Sequence, residues 1–352
     1  MIDFSNSNIR LKLTPQMHYY DKLGMVWNPF LMFFHTPNFI SQVVNTDEYG
    51  LRCNHLLGKT IYPLKDSSFS DETSVIIGGS TAFGVGASSD GMTISSKLSN
   101  LTNINHINMG GRAYSSSQEL ILFSKLASKL KNIKHVIIFS GLNDLHLSSF
   151  GSDDKDFGYF YYMRKFKNAM DLAALSKKQL LIRFFLYPFY KDSIKYNNID
   201  NKEFLKLLFS IKSIKQDNKP IVNIKYAISQ LEKNLFIWKQ LSKAYPFKLT
   251  FILQPLSIWL EKELSQEENS LFKYLDSVSS SQNLISLFDK NIYKEYTVSL
   301  NQLCKELGIS YFDSNEILKG NLTKNDWIFT DRAHLTDLGN EKVSDMINSI
   351  IF

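Results

Sequence analysis

The sequence predicts an α/β fold in which helices cover both faces of a parallel sheet. Short runs rich in β-branched residues alternate along the chain with segments of helical periodicity. Such alternation is typical of strand–helix–strand units, whose strands lie parallel in one sheet. The strand runs are apolar throughout, as expected for strands that are covered on both sides.

These patterns place about five strands and five helices. The predicted strands cover residues 74–78, 104–108, 135–139, 249–254 and 309–313. The predicted helices cover residues 91–101, 117–131, 222–244, 289–307 and 337–350. The second helix shows the helical period most clearly, because one side of it collects its large apolar residues. These are Leu120, Ile121, Phe123, Leu126 and Leu130.

Composition and charge limit the classes of partner. The chain has 352 residues, of which 44% are hydrophobic and 13% aromatic, enough for a substantial core. The formal net charge is only +6 and the basic residues are scattered among acids, so no nucleic-acid partner is expected. Cys53 and Cys304 lie far apart, which predicts neither a disulfide framework nor a zinc site. The histidines are isolated and no phosphate-binding loop is present, so we expect no metal and no cofactor.

The amino-terminal residues predict a cytoplasmic protein. They lack the basic start and unbroken apolar run of a secretory signal. The longest apolar stretch, residues 180–190, is interrupted by Arg183 and Pro188. It is about half the length of roughly twenty residues that crossing a bilayer requires. No transmembrane segment is therefore predicted.

Ser80 is the first candidate for a catalytic residue. It stands in the run Val75-Ile-Ile-Gly-Gly-Ser-Thr-Ala-Phe-Gly84, where a β-branched strand ends in glycines. Glycines permit a tight turn at the carboxyl edge of the sheet, where open α/β folds place their chemistry. The pattern predicts an exposed, nucleophilic hydroxyl.

Three later segments add groups that such a nucleophile needs. Within residues 107–119, a short apolar run ends at Gly110 and Gly111, and a backbone N–H can be presented there. Residues 135–144 form a strand that stops at glycine and then supplies Asn143, whose amide carries two N–H donors. Residues 330–339 contain Asp331 and His334, three positions apart and thus on one side of a turn.

Acyl-transfer chemistry assigns a role to each of these groups. His334 would take the proton from Ser80, and Asp331 would fix the tautomer of the imidazole. The N–H groups of Ser80 and Gly110 and the amide of Asn143 would stabilise a negatively charged tetrahedral oxygen.

The four segments, in this order, resemble those of the SGNH hydrolases, also called the GDSL esterase/lipase family. The resemblance covers roughly residues 74–352. It implies a three-layer α/β/α, flavodoxin-like fold, with Ser80, Asp331 and His334 as a triad and Gly110 and Asn143 as oxyanion-hole donors. The first segment reads Gly78-Gly79-Ser80, whereas the family often has Gly-Asp-Ser. This glycine form resembles that of members linked to bacterial surface polysaccharides.

Structural explanations exist for each of these residues. Ser80 and Thr81 are also good helix caps, and Asn143 with Asp144 could form a turn. Gly110 and Gly111 could serve chain reversal alone, and the sequence leaves open which of them donates.

Two regions lie outside the regular alternation. Residues 1–72 form a predicted aromatic extension packed on the main domain, residues 73–352. Packing is favoured over a sugar-stacking surface for its aromatic residues. These are Tyr19, Tyr20, Trp27, Phe30, Phe33, Phe34 and Phe39.

The second region is an aromatic and basic insertion at about 145–219, on the active-site edge of the sheet. A lid or acceptor-binding cap is the first interpretation, followed by a dimer contact and by peripheral membrane contact. Gln254 and Trp259 follow the fourth strand on the same edge and are candidate substrate-binding residues.

Together these observations predict a serine-dependent esterase that acts through an acyl-enzyme on Ser80. The expected substrate is an O-acyl group, first of all O-acetyl, on a carbohydrate or glycan precursor. A sugar O-acyltransferase with the same triad, a lipase or thioesterase, and a non-catalytic glycan-binding or assembly protein are the alternatives. The sequence leaves the acyl group, the choice between hydrolysis and transfer, and the oligomeric state open.

Overall fold

A computed structural model describes residues 7–66, 72–150, 158–173, 221–277 and 282–352. The chain divides into two units, one of Met1–Tyr159 with Ile221–Phe352 and one of Phe160–Pro220. The larger unit contains the central sheet and all the site residues predicted from the sequence.

A five-stranded parallel sheet forms the centre of the larger unit. Its strands are β5 (Thr73–Gly78), β6 (Asn105–Gly110), β7 (Ile133–Ser140), β8 (Lys248–Leu253) and β9 (Ser310–Asp313). Their order across the sheet is β6-β5-β7-β8-β9, and every neighbouring pair is parallel. The predicted α/β class with about five parallel strands is therefore confirmed, and each predicted strand lies within two residues of the observed one.

Twelve α-helices occur among the described residues. They are α1 (Ser7–Leu13), α2 (Met17–Lys22), α3 (Ser80–Phe83), α4 (Ile94–Thr102), α5 (Ser116–Leu126), α6 (Leu142–Leu147), α7 (Met163–Ala173), α8 (Ile224–Ala244), α9 (Gln266–Ser277), α10 (Lys290–Leu307), α11 (Ser314–Leu318) and α12 (Asp337–Ile351). The five predicted helices correspond to α4, α5, α8, α10 and α12. The predicted helix 117–131 is shorter, because a 3₁₀ turn over Ala127–Lys129 replaces its last turn.

Alternation along the strands directs apolar side chains to two helical layers. Ile76, Ile137 and Ile252 pack in one cluster with Ile94 of α4 and Val343 of α12. Helix α8 contacts both α5 and α10 in a separate group. The sheet therefore brings the carboxyl ends of β5, β6, β7 and β8 to one edge, where the predicted site residues follow.

Residues 7–66 add two small hairpins to the larger unit. They are formed by β1 (Met25–Asn28) with β2 (Met32–His35), and by β3 (Asn54–Leu56) with β4 (Lys59–Ile61). Part of this segment packs against Phe83, directly after the nucleophile candidate.

The aromatic residues of this segment divide into two groups. Tyr20, Phe33 and Phe34 are buried, in agreement with packing as their first role. Trp27 and Phe30 on the first hairpin are 68% and 70% exposed, so packing does not account for them.

The predicted insertion is described only in part. Within Phe160–Ala173, a turn precedes helix α7, and the Phe160 ring lies 5.6 Å from the Phe166 ring of that helix. Residues 151–157 and 174–220, and with them most of the predicted lid and the apolar stretch 180–190, lie outside the described residues. None of the described helices has the length and apolar character needed to cross a membrane.

Candidate active site

The nucleophile turn connects β5 to α3. Ser80 is the first residue of this four-residue helix, and Gly79 is its N-cap. A Cβ atom at Gly78 would lie 1.9 Å from the Phe139 carbonyl oxygen, and one at Gly79 would lie 2.7 Å from Asn143 Nδ2. Gly78 therefore requires glycine because a backbone carbonyl lies so close, whereas a side chain at Gly79 would displace the amide of Asn143. No side chain caps α3, so the alternative role of Ser80 and Thr81 as caps is wrong.

Three side chains form a hydrogen-bonded line beside this turn. The Ser80 Oγ atom lies 2.7 Å from Nε2 of His334, and Nδ1 of His334 lies 2.6 Å from Oδ2 of Asp331. With Nδ1–H donating to the carboxylate, Nε2 is the basic atom and accepts the serine hydroxyl. The structure thus brings the predicted Ser80, Asp331 and His334 together in the order that proton transfer requires.

The Asp331 carboxylate is held in this line by its own loop. Its Oδ1 atom accepts hydrogen bonds from the backbone N–H groups of Ala333 and His334, at 2.9 and 2.8 Å. Desolvation alone would raise the pKa of Asp331, but His334 and these N–H groups more than offset it and hold the pKa below its usual value. Asp331 is therefore a carboxylate, able to stabilise an imidazolium.

Asn143 lies beside the nucleophile turn as predicted. It follows Gly141, whose φ of +103° allows the sharp turn from β7 into α6. One amide N–H of Asn143 donates to the Tyr114 carbonyl at 2.7 Å. The proximity of Nδ2 to Gly79 places the amide next to the residue that precedes Ser80. Its second N–H is the group suited to an oxyanion.

The predicted donor Gly110 requires a correction. Its N–H donates to Asn108 Oδ1 at 3.0 Å, because the side chain of Asn108 folds over the end of β6. The alternative, Gly111, donates its N–H to the Gly78 carbonyl at 2.9 Å. Both glycines instead serve close packing: a Cβ at Gly110 would lie 2.1 Å from the Phe83 nitrogen.

Ala113 is the residue of this turn that sequence reasoning missed. It has a φ of +60°, rare for a residue with a Cβ atom, and it precedes Tyr114, whose carbonyl accepts from Asn143. Among the described residues, the N–H groups of Ala113 and Ser80 have no hydrogen-bond acceptor. Such backbone strain at an active-site edge is a signal that only coordinates reveal.

The predicted substrate-binding residues Gln254 and Trp259 follow β8 as expected, but both side chains are buried. Trp259 is buried, donates its indole N–H to the Leu287 carbonyl at 2.9 Å and stacks on Tyr293, so it does not line the mouth of the site. Gln254 is also buried, and its Nε2 donates to Thr81 Oγ1 at 2.9 Å. Gln254 thus supports the nucleophile turn from behind.

Arg52 is a second residue that sequence reasoning missed. Its fully buried guanidinium donates to the carbonyls of Phe83 and Gly84, at 3.1 and 2.8 Å, and so caps the carboxyl end of α3. Its Nε also donates to Asp90 Oδ1 at 2.9 Å. The hydroxyl of Tyr20 accepts from Arg52 at 2.9 Å, and burial raises the pKa of Tyr20 to about 12. The only sequence signal is an arginine between Leu51 and Cys53.

Two acids are buried beneath Asn143. Asp144 accepts from the backbone N–H and the hydroxyl of Ser116, at the start of α5. Glu119 accepts from the Ser140 hydroxyl at 2.6 Å. Burial raises the pKa of Asp144 to about 6 and that of Glu119 well above its usual value. Both shifts favour the protonated acids, and the neighbouring Asp144 raises the pKa of Glu119 further.

Within the described ranges, no three side chains of His, Cys, Asp and Glu are grouped so as to hold a metal ion. The arrangement can move a proton from Ser80 to His334, and N–H donors lie beside the nucleophile turn.

Comparison with known proteins gives structural likenesses only. No protein-family profile and no curated protein matches the chain. An acetyl xylan esterase, AlAXEase, is 14% identical, with 80% of this chain and 100% of that chain covered and a TM-score of 0.39. A putative arylesterase from Agrobacterium tumefaciens str. C58 is 11% identical, with 79% and 97% covered and a TM-score of 0.41.

A third similar structure is titled a putative lipolytic protein of G-D-S-L family, from Desulfitobacterium hafniense DCB-2. It is 12% identical, with 80% of this chain and 99% of that chain covered and a TM-score of 0.38.

Proposed function

We propose that the protein is a serine-dependent ester hydrolase with Ser80 as nucleophile, His334 as general base and Asp331 as the group that orients His334. The observation that carries this proposal is the unbroken line from Ser80 Oγ through His334 to Asp331, at 2.7 and 2.6 Å. Both distances lie within the range for productive proton transfer.

The first half-reaction forms an acyl-enzyme. Ser80 Oγ attacks the carbonyl carbon of the ester while His334 Nε2 takes the hydroxyl proton. The N–H groups of Ser80 and Ala113 and the free amide N–H of Asn143 stabilise the tetrahedral oxyanion. His334 then gives its proton to the departing alcohol, and the C–O bond of the ester breaks.

The second half-reaction returns the free enzyme. A water molecule attacks the acyl carbon while His334 Nε2 takes one of its protons. Collapse of the second tetrahedral intermediate releases a carboxylic acid and returns the proton to Ser80. Asp331 remains ionised throughout and stabilises each imidazolium that forms.

We propose an O-acetyl group on a carbohydrate as the substrate class. The support for it is the Gly78-Gly79-Ser80 form of the nucleophile segment and its resemblance to members linked to bacterial surface polysaccharides. Acetyl and octanoyl p-nitrophenyl esters separate this proposal from a lipase or thioesterase. Preference for the acetyl ester supports it, and preference for the octanoyl ester would contradict it.

The test of the mechanism is hydrolysis of p-nitrophenyl acetate by the wild-type protein, Ser80→Ala and the control Ser124→Ala, on helix α5 outside the site. We expect Ser80→Ala to lose ~10³-fold or more in kcat and the control to keep the wild-type rate. Equal rates for Ser80→Ala and wild type would contradict a serine mechanism. Adding sugars and measuring their acetylation tells a hydrolase from an acyltransferase.

A further inference from the structure

The residue after the nucleophile, Thr81, connects the two halves of the candidate site. Its side chain is buried, and Oγ1 donates to the Ala333 carbonyl at 3.2 Å. The same Oγ1 accepts from Gln254 Nε2 at 2.9 Å. A hydroxyl has one hydrogen to donate and two lone pairs that accept. Because Gln254 donates to a lone pair of Thr81 Oγ1, the hydroxyl hydrogen is available for the Ala333 carbonyl.

Ala333 lies between Asp331 and His334 in the chain. Its carbonyl belongs to the peptide group that leads into His334, and its own N–H donates to Asp331 Oδ1 at 2.9 Å. The carbonyl of His334 in turn accepts from the Thr330 N–H at 2.9 Å. The loop is thus closed on itself, and the Thr81 hydroxyl ties it to the nucleophile turn.

Gln254 is fixed independently of that loop. It follows β8, and its N–H donates to the Ser140 carbonyl at 3.1 Å, which extends the hydrogen bonding between β7 and β8. Its carbonyl accepts from Asn315 at 3.3 Å. The side-chain amide therefore starts from the rigid sheet and reaches the turn with little freedom.

The hydrogen bonds from Gln254 to Thr81 and from Thr81 to Ala333, here called the relay, involve no charged group. Gly79 is the N-cap of α3 and no side chain caps that helix, so the Thr81 hydroxyl is not needed to begin it. None of Thr81, Gln254 and Ala333 carries a side-chain charge. Their effect on the reaction is therefore on the distance between Ser80 and His334 and on the orientation of these two side chains. Catalysis is sensitive to such placement, since ~1 Å can cost about 10²-fold in rate.

We propose that Thr81 and Gln254 are positioning residues that set the 2.7 Å separation of Ser80 Oγ and His334 Nε2. The proposal rests on the proposed function of Ser80 and His334. It adds that strand β8, which supplies no member of the proton-transfer line, fixes the distance within it.

Thr81→Val tests the proposal, because valine keeps the shape of threonine and removes the hydroxyl. We expect kcat for p-nitrophenyl acetate to fall ~10- to 100-fold, with KM within about twofold of wild type. Thr81→Ser restores the hydroxyl and should recover kcat to within a few-fold. Labelling of Ser80 by a small fluorophosphonate should slow in Thr81→Val by the same factor as kcat.

Thr250→Val is the matched control. Thr250 is a buried threonine within β8 whose hydroxyl bonds His135 at 2.9 Å, outside the site. Its loss should change thermal stability and leave kcat at the wild-type value. A fall in kcat common to both variants would point to general loosening and overturn the proposal.

Gln254→Met tests the second member, and it also serves if Thr81→Val fails to fold. It leaves Thr81 in place but removes the amide, and a several-fold loss of kcat is expected. In Thr81→Val/Gln254→Met the losses should not multiply, because both changes break one chain of hydrogen bonds. Unchanged kcat in either folded single variant would overturn the relay.

These results stay separable from those for the proposed function. Full activity of Ser80→Ala would remove the nucleophile and the relay with it. Loss of activity in Ser80→Ala together with full activity of Thr81→Val would leave the hydrolase proposal intact and remove the relay alone.

Discussion

The line of proton transfer and the support beneath the nucleophile helix use charge in opposite ways. Asp331 and His334 are three residues apart, and their side chains are 27% and 22% exposed. Arg52 and Asp90 are separated by 38 positions, and their side chains are 0% and 9% exposed. In the proposed mechanism His334 gains and loses a proton in each turnover, whereas neither Arg52 nor Asp90 takes part in a step.

This difference in exposure predicts different effects of substitutions in the two pairs. A partly exposed pair loses little stability when it is altered, because water can replace its partners. A buried pair leaves an uncompensated charge when one partner is removed. Variants of Asp331 and His334 should therefore lose rate, and variants of Arg52 should first lose stability.

The largest effect is expected from Asp331→Asn. The amide would donate toward His334 Nδ1 and favour the tautomer whose Nε2 carries the proton, so Ser80 loses its base. We expect kcat to fall about 10⁴-fold, as for the equivalent change in serine proteases, with a nearly unchanged melting temperature. Ester hydrolysis and thermal unfolding measure the two quantities, and a loss below tenfold would contradict the role of Asp331.

Arg52→Met should have the next largest effect, and on stability. It would remove the ion-pair partner of Asp90, which keeps only its hydrogen bonds from Asn45, and would take one donor from each of the carbonyls of Phe83 and Gly84. We expect the free energy of unfolding in urea to fall by about 3–5 kcal/mol. Arg10→Met, which removes the arginine of the exposed pair with Asp21, is the control and should cost at most ~1 kcal/mol. Equal losses in the two variants would remove the distinction between the regions.

Asn143→Ala sharpens the comparison, because Asn143 bonds Tyr114 and also has a free N–H. Removal of one oxyanion donor should reduce kcat about 10²–10³-fold, equal to ~2.7–4 kcal/mol, with little change in KM. Loss of the bond to Tyr114 should add a modest decrease in melting temperature. Steady-state kinetics on p-nitrophenyl acetate gives the answer, and full activity would exclude Asn143 from the oxyanion site.

The smallest effect concerns the pH dependence of stability at Asp144. Burial raises its pKa to about 6, so the folded protein binds this proton more tightly than the unfolded chain. Stability from this group is therefore highest at low pH and falls as pH rises from about 4 to about 6. Asp144→Asn removes the dependence and should gain about 1–3 kcal/mol relative to wild type across that interval. Urea unfolding at several pH values measures it, and parallel curves for the two proteins would contradict the raised pKa.

Local patterns made much of the site predictable. Ser80 follows a strand that breaks into glycines, and Asn143 follows another strand of the same sheet, so both reach one edge. Asp331 and His334 are close in the chain, and a single turn brings them together. In each case the pattern that predicts the site residue lies within about ten residues of it. The only long-range assumption is that the strands end at the same edge of one sheet.

Side-chain contacts and backbone conformations that no residue pattern encodes could not be predicted. Gly110 was the wrong donor because the side chain of Asn108 takes its N–H, and Ala113 adopts a conformation that its residue type disfavours. Arg52 acquires its role only when residues 20–90 fold around it. Trp259 was placed on the right edge but turns inward onto Tyr293, which a strand pattern does not reveal.

The most direct test of the central claim is intact-protein mass spectrometry with peptide mapping, shortly after mixing the protein with p-nitrophenyl acetate. The account predicts one added acetyl group, located on Ser80, which accumulates in wild type and is absent in Ser80→Ala. An acetyl group on another residue during turnover, or turnover that persists in Ser80→Ala, would contradict it.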